Sequence, residues 1–203
     1  SCKFVTKTNI MFRNITFTAF LLLLVNQGKA QTMDTVVDRR DNKVYKTVTI
    51  GTQTWMAENL NFGTALSFCA QCEVYGRIYM YDEALTACPV GWHLPSDPEW
   101  TTLIAFLGGY GDAGGKLKEA GFAHWKSPNS NATNSSGFGA IPNGYRSING
   151  ALNFERKRGC WWSSTNNSMM SAWSIALQNT KGEVSRVLSD KPVGLSVRCI
   201  KNP

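Results

Sequence analysis

Residues 87–100 read Ala-Cys-Pro-Val-Gly-Trp-His-Leu-Pro-Ser-Asp-Pro-Glu-Trp and contain the clearest helix start in the chain. Ser96 and Glu99 have the spacing of a capping box, in which each side chain bonds to the backbone N–H of the other residue. Pro98 falls in the first turn, where its missing N–H costs nothing. Apolar residues then recur at helical spacing until Gly108-Gly109, which predicts a helix between these two points. Those apolar positions are Trp100, Leu103, Ile104 and Leu107.

Shorter patterns on either side of this helix predict strands and further helical segments. Residues 44–50 alternate in a β-branched pattern of period two, and Asp41-Asn42 predicts a turn from a preceding strand. A short helix fits Tyr81–Ala87, and a brief helical turn fits 115–120. From residue 137 onward, short apolar segments separated by Gly, Asn and Ser predict an antiparallel sheet, and this order predicts an α+β fold. The segments are 144–148, 160–164, 172–177, 184–188 and 194–200.

The first 30 residues have the order of a secretory signal. Arg13 follows Met11, an apolar run covers residues 19–25, and small and polar residues lead to Ala30. The run is shorter than the roughly 20 residues of a membrane span. We therefore predict a signal peptide over residues 11–30, preceded by ten upstream residues, and a single domain over 31–203 with no membrane span. The alternative for the apolar run is a buried core helix.

Charge gives no reason to expect nucleic acid as a partner. Of the 21 Lys and Arg residues, four lie within residues 1–30, which leaves 17 against 14 Asp and Glu in the remainder. A balance this close to neutral makes no electrostatic case for nucleic acid or an anionic membrane. An exported protein without these partners is expected in the periplasm, at the cell surface or in the medium.

The cysteines beyond residue 30 are expected to form disulfides, because export places them in an oxidising compartment. Two bridges and one free thiol is the simplest outcome, although the sequence leaves several arrangements open. We prefer Cys88 with Cys199 and Cys69 with Cys72, leaving Cys160 single. Two alternatives remain: a redox role for the Cys-x-x-Cys spacing, and a tetrahedral zinc site. The zinc ligands would be Cys69, Cys72, Cys88 and His93.

No combination of residues indicates catalysis. The two histidines, His93 and His124, have no evident catalytic partner in the sequence, and no nucleophile elbow, phosphate loop or His-Glu-x-x-His motif occurs. The paired carboxylates, such as Asp82-Glu83, are better explained by helix starts. We therefore expect a protein that is not an enzyme and that holds no metal and no cofactor.

A tryptophan-rich segment between residues 160 and 190 is the best candidate for a binding site. Trp161, Trp162 and Trp173 are interleaved with Ser, Thr and Asn residues. Strand alternation places Trp161 and Trp162 on opposite faces, so at least one is expected in the core. An exposed Trp beside amide and hydroxyl groups could stack on a sugar ring or anchor a protein partner. The alternative is that all three are core residues.

Several separated motifs give the chain a family resemblance. Their order strongly resembles the Fibrobacter succinogenes major paralogous domain, a family of exported bacterial proteins, over about residues 36–202. The motifs are Ile-Gly-Thr-Gln-Thr-Trp-Met-Ala-Glu-Asn-Leu at 50–60, Tyr-Gly-Arg-Ile-Tyr at 75–79, residues 87–100, Ser-Gly-Phe at 136–138, Gly-Tyr-Arg at 144–146, Trp-Trp-Ser-Ser-Thr at 161–165 and Ser-Val-Arg-Cys at 196–199.

The resemblance implies a C-type-lectin-like fold, with two helices packed on a small antiparallel sheet and long loops. It supports the Cys88–Cys199 bridge, and it places the Cys69 and Cys72 pair where family members often carry two nearby cysteines. It also implies a module that recognises a glycan or protein at or outside the cell surface through its C-terminal region, as in adhesion. The implied binding residues are Trp162, Asn166, Asn167, Trp173 and Arg186.

Departures from better-known relatives limit what the resemblance transfers. Ile141-Pro142-Asn143 and Trp162-Ser163-Ser164 lack the acids with which sugar-binding C-type lectins hold calcium. The resemblance also extends to formylglycine-generating enzymes, which bind copper with two cysteines, whereas only Cys160 lies in the matching region. Two alternatives to the binding module therefore remain: a structural envelope or secreted domain without a specific ligand, and a diverged enzyme of the formylglycine-generating kind.

Overall fold

Strand pairing dominates residues 32–203, the part of the chain that this computed structural model describes. Strands hold 34% of it and helices 17%, so the prediction of an α+β, C-type-lectin-like fold with two helices packed on a small antiparallel sheet is wrong. The chain divides into two units, Ser1–Ala30 and Gln31–Pro203. The predicted secretory signal falls in the first unit, outside the described residues.

The first sheet has five antiparallel strands in the order β1-β2-β3-β12-β5. Both faces of β2 are covered: Tyr45 and Thr47 are buried on one face, and Val48 and Ile50 on the other. The predicted turn at Asp41-Asn42 connects β1 and β2, and Asn42 adopts a positive φ there. The strands are β1 (Met33–Asp38), β2 (Lys43–Ile50), β3 (Gln53–Met56), β5 (Trp92–His93) and β12 (Ile200–Lys201).

The second sheet has five strands in the order β10-β9-β8-β11-β4. Neighbouring strands are antiparallel, except that β11 runs parallel to β8. A separate hairpin pairs β6 (Tyr145–Arg146) with β7 (Leu152–Asn153). The strands of the second sheet are β4 (Ile78–Tyr79), β8 (Arg158–Asn166), β9 (Ser171–Gln178), β10 (Val184–Asp190) and β11 (Leu195–Ser196).

Four helices cover these sheets within the described residues: α1 (Cys72–Tyr75), α2 (Tyr81–Ala87), α3 (Asp97–Phe106) and α4 (Tyr110–Leu117). The predicted capping box of α3 is present, with both reciprocal bonds between Ser96 and Glu99. Helix α4 starts earlier than predicted because its glycines hide it from sequence patterns. A Cβ at Gly114 would lie 2.5 Å from the carbonyl oxygens of Gly182 and Glu183, so glycine lets α4 approach the start of β10.

Helices and sheets enclose two hydrophobic clusters on opposite sides of the β8–β9 ladder. One cluster contains Trp161 with Trp55, Trp100 and the buried residues of α3 and α4. The other contains Trp162 with the buried residues of α2. The prediction that Trp161 and Trp162 point to opposite faces is therefore confirmed, and both are buried because each face has its own core.

Both predicted disulfides are present. Cys88 bonds to Cys199, which joins the end of α2 to the residue before β12, and Cys69 bonds to Cys72 at the start of α1. Three of the four candidate zinc ligands are therefore engaged in disulfides, which removes the zinc alternative. Cys160 is free and buried.

The last strands of the chain connect the two sheets. Leu195–Ser196 pairs in the second sheet and Ile200–Lys201 in the first. Between them, Val197 O accepts from Leu60 N at 2.9 Å and Cys199 O from Met56 N at 3.0 Å. Residue 198 thus lies at the junction of both sheets.

Arg198 occupies this junction with no exposed surface. Its Nε and Nη2 donate to Asn59 Oδ1 at 3.2 and 2.8 Å. Its Nη1 donates to the backbone carbonyls of Met56 and Phe138, and Nη2 also donates to Gly139 O. No carboxylate forms an ion pair with it within residues 32–203. Burial lowers the pKa of Arg198 to about 9, which still leaves the guanidinium protonated at neutral pH. We call Arg198, Asn59 and Trp161 the buried hub, because Trp161 Nε1 also donates to Asn59 Oδ1, at 2.8 Å.

The hub generates a prediction about stability. Arg198→Met keeps the bulk of the side chain but leaves several buried carbonyls without a donor, so the free energy of unfolding should fall by about 3–5 kcal/mol. Urea denaturation at pH 7 measures this change. Arg186→Met, at an exposed arginine, is the matched control and should change stability by less than about 1 kcal/mol. Equal effects of the two variants would contradict a structural role for the hub.

The free thiol generates a second prediction. Burial raises the pKa of the Cys160 thiol to about 11, so Cys160 should not react with a thiol reagent while the chain is folded. Cys160→Ala should therefore leave the number of thiols titrated in the native chain unchanged and lower the number titrated in denaturant by one. A native count that falls in the variant would show that Cys160 is accessible.

Candidate functional site

The residues predicted to bind a ligand do not form one cluster. Trp162 is fully buried, its Nε1 donates to Tyr79 O at 2.8 Å, and its ring forms a T-shaped contact with the ring of Tyr81. It therefore lies in the core and cannot contact a ligand at the surface, contrary to the prediction for this residue. Sequence alternation could not show this, because it separates the two faces of a strand without telling which face is solvated.

Trp173 and Arg186, in contrast, lie together near the surface on neighbouring strands. The Arg186 guanidinium carbon lies 3.2 Å from the centroid of the Trp173 ring. Asp97, in the first turn of α3, accepts two hydrogen bonds from Arg186 at 2.7 and 2.9 Å. These bonds raise the pKa of Arg186. The ion pair with Asp97 thus holds Arg186 in place, and the guanidinium covers one face of the half-buried Trp173 ring.

Asn166 and Asn167 lie at the end of the β8–β9 hairpin. Asn167 Nδ2 donates to Ser171 Oγ at 3.0 Å, and the Ser168 and Ser171 hydroxyls are 2.9 Å apart, which closes the turn. The turn exposes Met169 and Met170, which are 91% and 67% exposed. The sequence analysis did not select these methionines, although two adjacent methionines between polar turn residues indicate exposed apolar side chains.

These residues define one exposed surface, which we call the hairpin surface: Asn166–Met170 with Trp173, Arg186 and Leu188. Leu188 pairs with Trp173 across the strands and is 47% exposed. Methionine, arginine and aromatic residues are enriched in protein interfaces. The hairpin surface therefore combines apolar contact area with a positioned cation on a regular sheet.

A separate groove of about 410 Å³ opens elsewhere on the same unit. It is lined by residues of β2, of α1 and of loops near 119–124 and 134–141. At its base, Asn61 N donates to Tyr45 Oη at 3.0 Å and Asn61 Nδ2 to Glu73 Oε1 at 3.4 Å. Asn61 Oδ1 is buried and has no hydrogen-bond partner within the described chain.

Acidic and basic side chains along the groove lie in contact with one another. His124 Nδ1 lies 2.9 Å from both carboxylate oxygens of Glu119, and Lys43 Nζ lies 3.3 Å from Glu73 Oε2. Sequence reasoning gave His124 no partner, since Glu119 was assigned to a helical turn. No serine, threonine or free cysteine lines the groove within residues 32–203. The groove therefore offers hydrogen-bonding groups and no nucleophile of that kind.

The family model of the Fibrobacter succinogenes major domain matches residues 48–201. The chain belongs to this family. No curated protein and no solved structure matches it. In this member of the Fibrobacter succinogenes major domain family, the motifs at 50–60, 161–165 and 196–199 supply the three residues of the buried hub. These three motifs of the family thus contribute residues to the core of this chain.

The disulfides bear on where this family member works. The Cys88–Cys199 bridge joins distant parts of the domain, and the Cys69–Cys72 bridge closes a short loop. Disulfides are typical of proteins in oxidising compartments. Across residues 32–203, none of the helices has the length and apolar character that crossing a membrane requires. No cluster of three or more metal-ligating side chains occurs in that range either.

The arrangement of Trp173 predicts a spectroscopic change. Arg186→Ala should uncover one face of the Trp173 ring and increase acrylamide quenching of tryptophan fluorescence, while stability changes by less than about 1 kcal/mol because the ion pair is exposed. The same substitution in a Trp173→Phe background should leave quenching unchanged, which separates Trp173 from the other six tryptophans. Equal quenching of the wild-type and Arg186→Ala chains would contradict the stacked geometry.

Proposed function

We propose that this chain is an exported bacterial module, not an enzyme, that binds a partner at or outside the cell surface through the hairpin surface. The secretory pattern of residues 11–30 and the two disulfides support export to an oxidising compartment. The observation that carries the binding role is the fixed Trp173–Arg186–Asp97 arrangement beside the exposed Met169 and Met170.

The chemistry of the hairpin surface favours a protein over a glycan as the partner. Arg186 already covers one face of Trp173, which leaves less of the ring for stacking on a sugar. Met169, Met170 and Leu188 add exposed apolar area. Flexible methionine side chains adapt their shape to an apolar partner surface. A glycan that binds here would have to use the remaining Trp173 face with Asn166 and Asn167.

Of the two alternatives, the structural envelope domain differs from the binding module in having no specific ligand. The enzyme alternative requires a second thiol near Cys160 to hold copper, and Cys160 is the free cysteine of the described residues. No observation on the structure favours that chemistry. The experiment below therefore separates a binding module from a domain with no ligand.

A binding array of surface proteins and glycans, probed with the purified chain, tests the proposal. Replacing Met169 and Met170 together by Ser should weaken binding to any captured partner by at least about tenfold, because residues that anchor an interface each contribute on the order of 2 kcal/mol. Replacing Val90 and Ile148 by Ser is the matched control, since both are highly exposed and lie outside the hairpin surface. Absence of any partner, or equal loss in both variants, would favour the structural alternative.

A further inference from the structure

We propose that the groove beside α1 is a second binding site and that it takes a neutral, polyhydroxylated ligand, namely one sugar residue. This site is independent of the hairpin surface, since the two share no residue. Its volume of about 410 Å³ falls in the range of small-ligand pockets. A single pyranose ring is small enough to enter a space of this size.

The first argument is an unpaired acceptor. Asn61 is 8% exposed, and its Oδ1 has no hydrogen-bond donor within the described residues. A buried carbonyl without a partner costs on the order of 1–3 kcal/mol. Folding gains nothing from this group. The oxygen exposes less than 1 Å², so a ligand hydroxyl would satisfy it after a small rotation of the Asn61 side chain toward the groove that this residue lines. The Glu73 carboxylate accepts from Asn61 Nδ2, and this contact orients the amide with its oxygen unpaired.

The second argument is a donor beside that acceptor. Tyr45 lines the groove, and its hydroxyl oxygen accepts the hydrogen bond from Asn61 N. The hydroxyl proton has no acceptor within the described part of the chain, so it remains available to a ligand. Burial raises the pKa of Tyr45 to about 12, which keeps this proton in place at neutral pH. A sugar hydroxyl both donates and accepts, and therefore suits a neighbouring donor and acceptor.

The third argument concerns charge. Glu119 pairs with His124, Glu73 with Lys43, and Glu58 accepts from the backbone N–H of Lys46 at 2.7 Å. Because these three carboxylates already accept from donors of the protein, a cationic ligand would have to displace one of those donors, and an anionic ligand would lie against the carboxylates themselves. Hydroxyl groups can instead bond to Glu58 Oε1 and to His124 Nε2, neither of which has a hydrogen-bond partner within residues 32–203.

The fourth argument is that the groove is preformed. Helix α1 is fixed at its start by the Cys69–Cys72 bridge and at its end by the bond from Asn59 Nδ2 to Tyr75 O, 2.9 Å. A Cβ at Gly76 would lie 2.7 Å from the Asn59 Cβ, so glycine lets the end of α1 rest directly on residue 59. A preformed site avoids the entropic cost of ordering its walls when a ligand binds. Val44 is more than half exposed and Val74 is half exposed. Both line the groove and offer apolar contacts to the C–H groups of a sugar.

Saturation-transfer NMR with the purified chain tests the proposal directly. The neutral probes are glucose, galactose, N-acetylglucosamine and cellobiose, and the charged probes are glucuronate and glucosamine. At least one neutral probe should receive saturation, and the charged probes should receive less. The monosaccharides and the disaccharide form separate arms, which distinguish recognition of a free sugar from recognition of the end of a chain.

Two variants and one control connect binding to the groove. Asn61→Leu should weaken binding of the neutral probe by about tenfold while the midpoint of thermal unfolding stays equal or rises, because the substitution removes an unpaired buried carbonyl. Val74→Trp should abolish binding by filling the groove. Leu85→Trp, at a comparably exposed position on α2 outside the groove, is the matched control and should bind as the original chain does.

Three outcomes would overturn the proposal. The first is no saturation of any neutral probe, or stronger saturation of the charged ones. The second is binding that survives both Asn61→Leu and Val74→Trp, which would place the sugar elsewhere. The third is a lower unfolding midpoint in Asn61→Leu with unchanged binding, which would make Asn61 a structural residue.

Discussion

The buried guanidinium of Arg198 and the side-chain oxygen of Asn59 form the contact on which the remainder of the domain depends. Arg198 lies in the chain between β11 of the second sheet and β12 of the first sheet. Asn59 follows β3 and also accepts from Trp161 of β8. One amide oxygen therefore connects three segments that are far apart in the sequence. The backbone bonds from Leu60 N to Val197 O and from Met56 N to Cys199 O lie on either side of Arg198 and support the same junction.

A buried charge without a counter-ion is an expensive way to join two sheets, because removal of a guanidinium from water costs several kcal/mol. The cost is offset only if the donors are satisfied. Here Met56, Phe138 and Gly139 supply carbonyl oxygens, and the Phe138 ring faces the guanidinium at 4.3 Å. Lys118 follows the same logic: it is fully buried, and its three donors reach three backbone carbonyls. In this domain, buried cations bind loops and sheet ends through main-chain oxygens, and that holds irregular backbone in one arrangement.

What the sequence predicts well is local. The capping box before α3, the turn at Asn42 and the opposite faces of Trp161 and Trp162 each depend on residues within a few positions of one another. Strands such as β4, β5, β11 and β12 are two residues long and exist only because distant segments pair with them, so local patterns underestimated the strand content. The prediction for α4 missed the start of the helix for a related reason. A glycine is needed at position 114 because the backbone of residues 182 and 183, far away in the sequence, packs against it.

The candidate sites follow the same division. The family resemblance, which places ligand binding in the C-terminal region, indicated Trp173 and Arg186, whereas the Asp97 that positions Arg186 comes from another element. The groove could not be selected at all: Tyr45, Asn61, Glu73 and His124 carry no motif and meet only in the folded chain.

Asn59 and Asn61 show how the folded chain distinguishes a structural residue from a candidate binding residue. They are two positions apart, both line the groove, and both belong to residue types that bind sugars as readily as they bind backbone. Asn59 has every polar atom engaged: its oxygen accepts from Arg198 and Trp161, and its nitrogen donates to Tyr75 O. Its oxygen therefore has no capacity left for a ligand. Asn61 is nearly as buried, yet its oxygen has no partner among residues 32–203. The motif residue is therefore the structural one, and the residue just outside the motif is the one whose chemistry is still available.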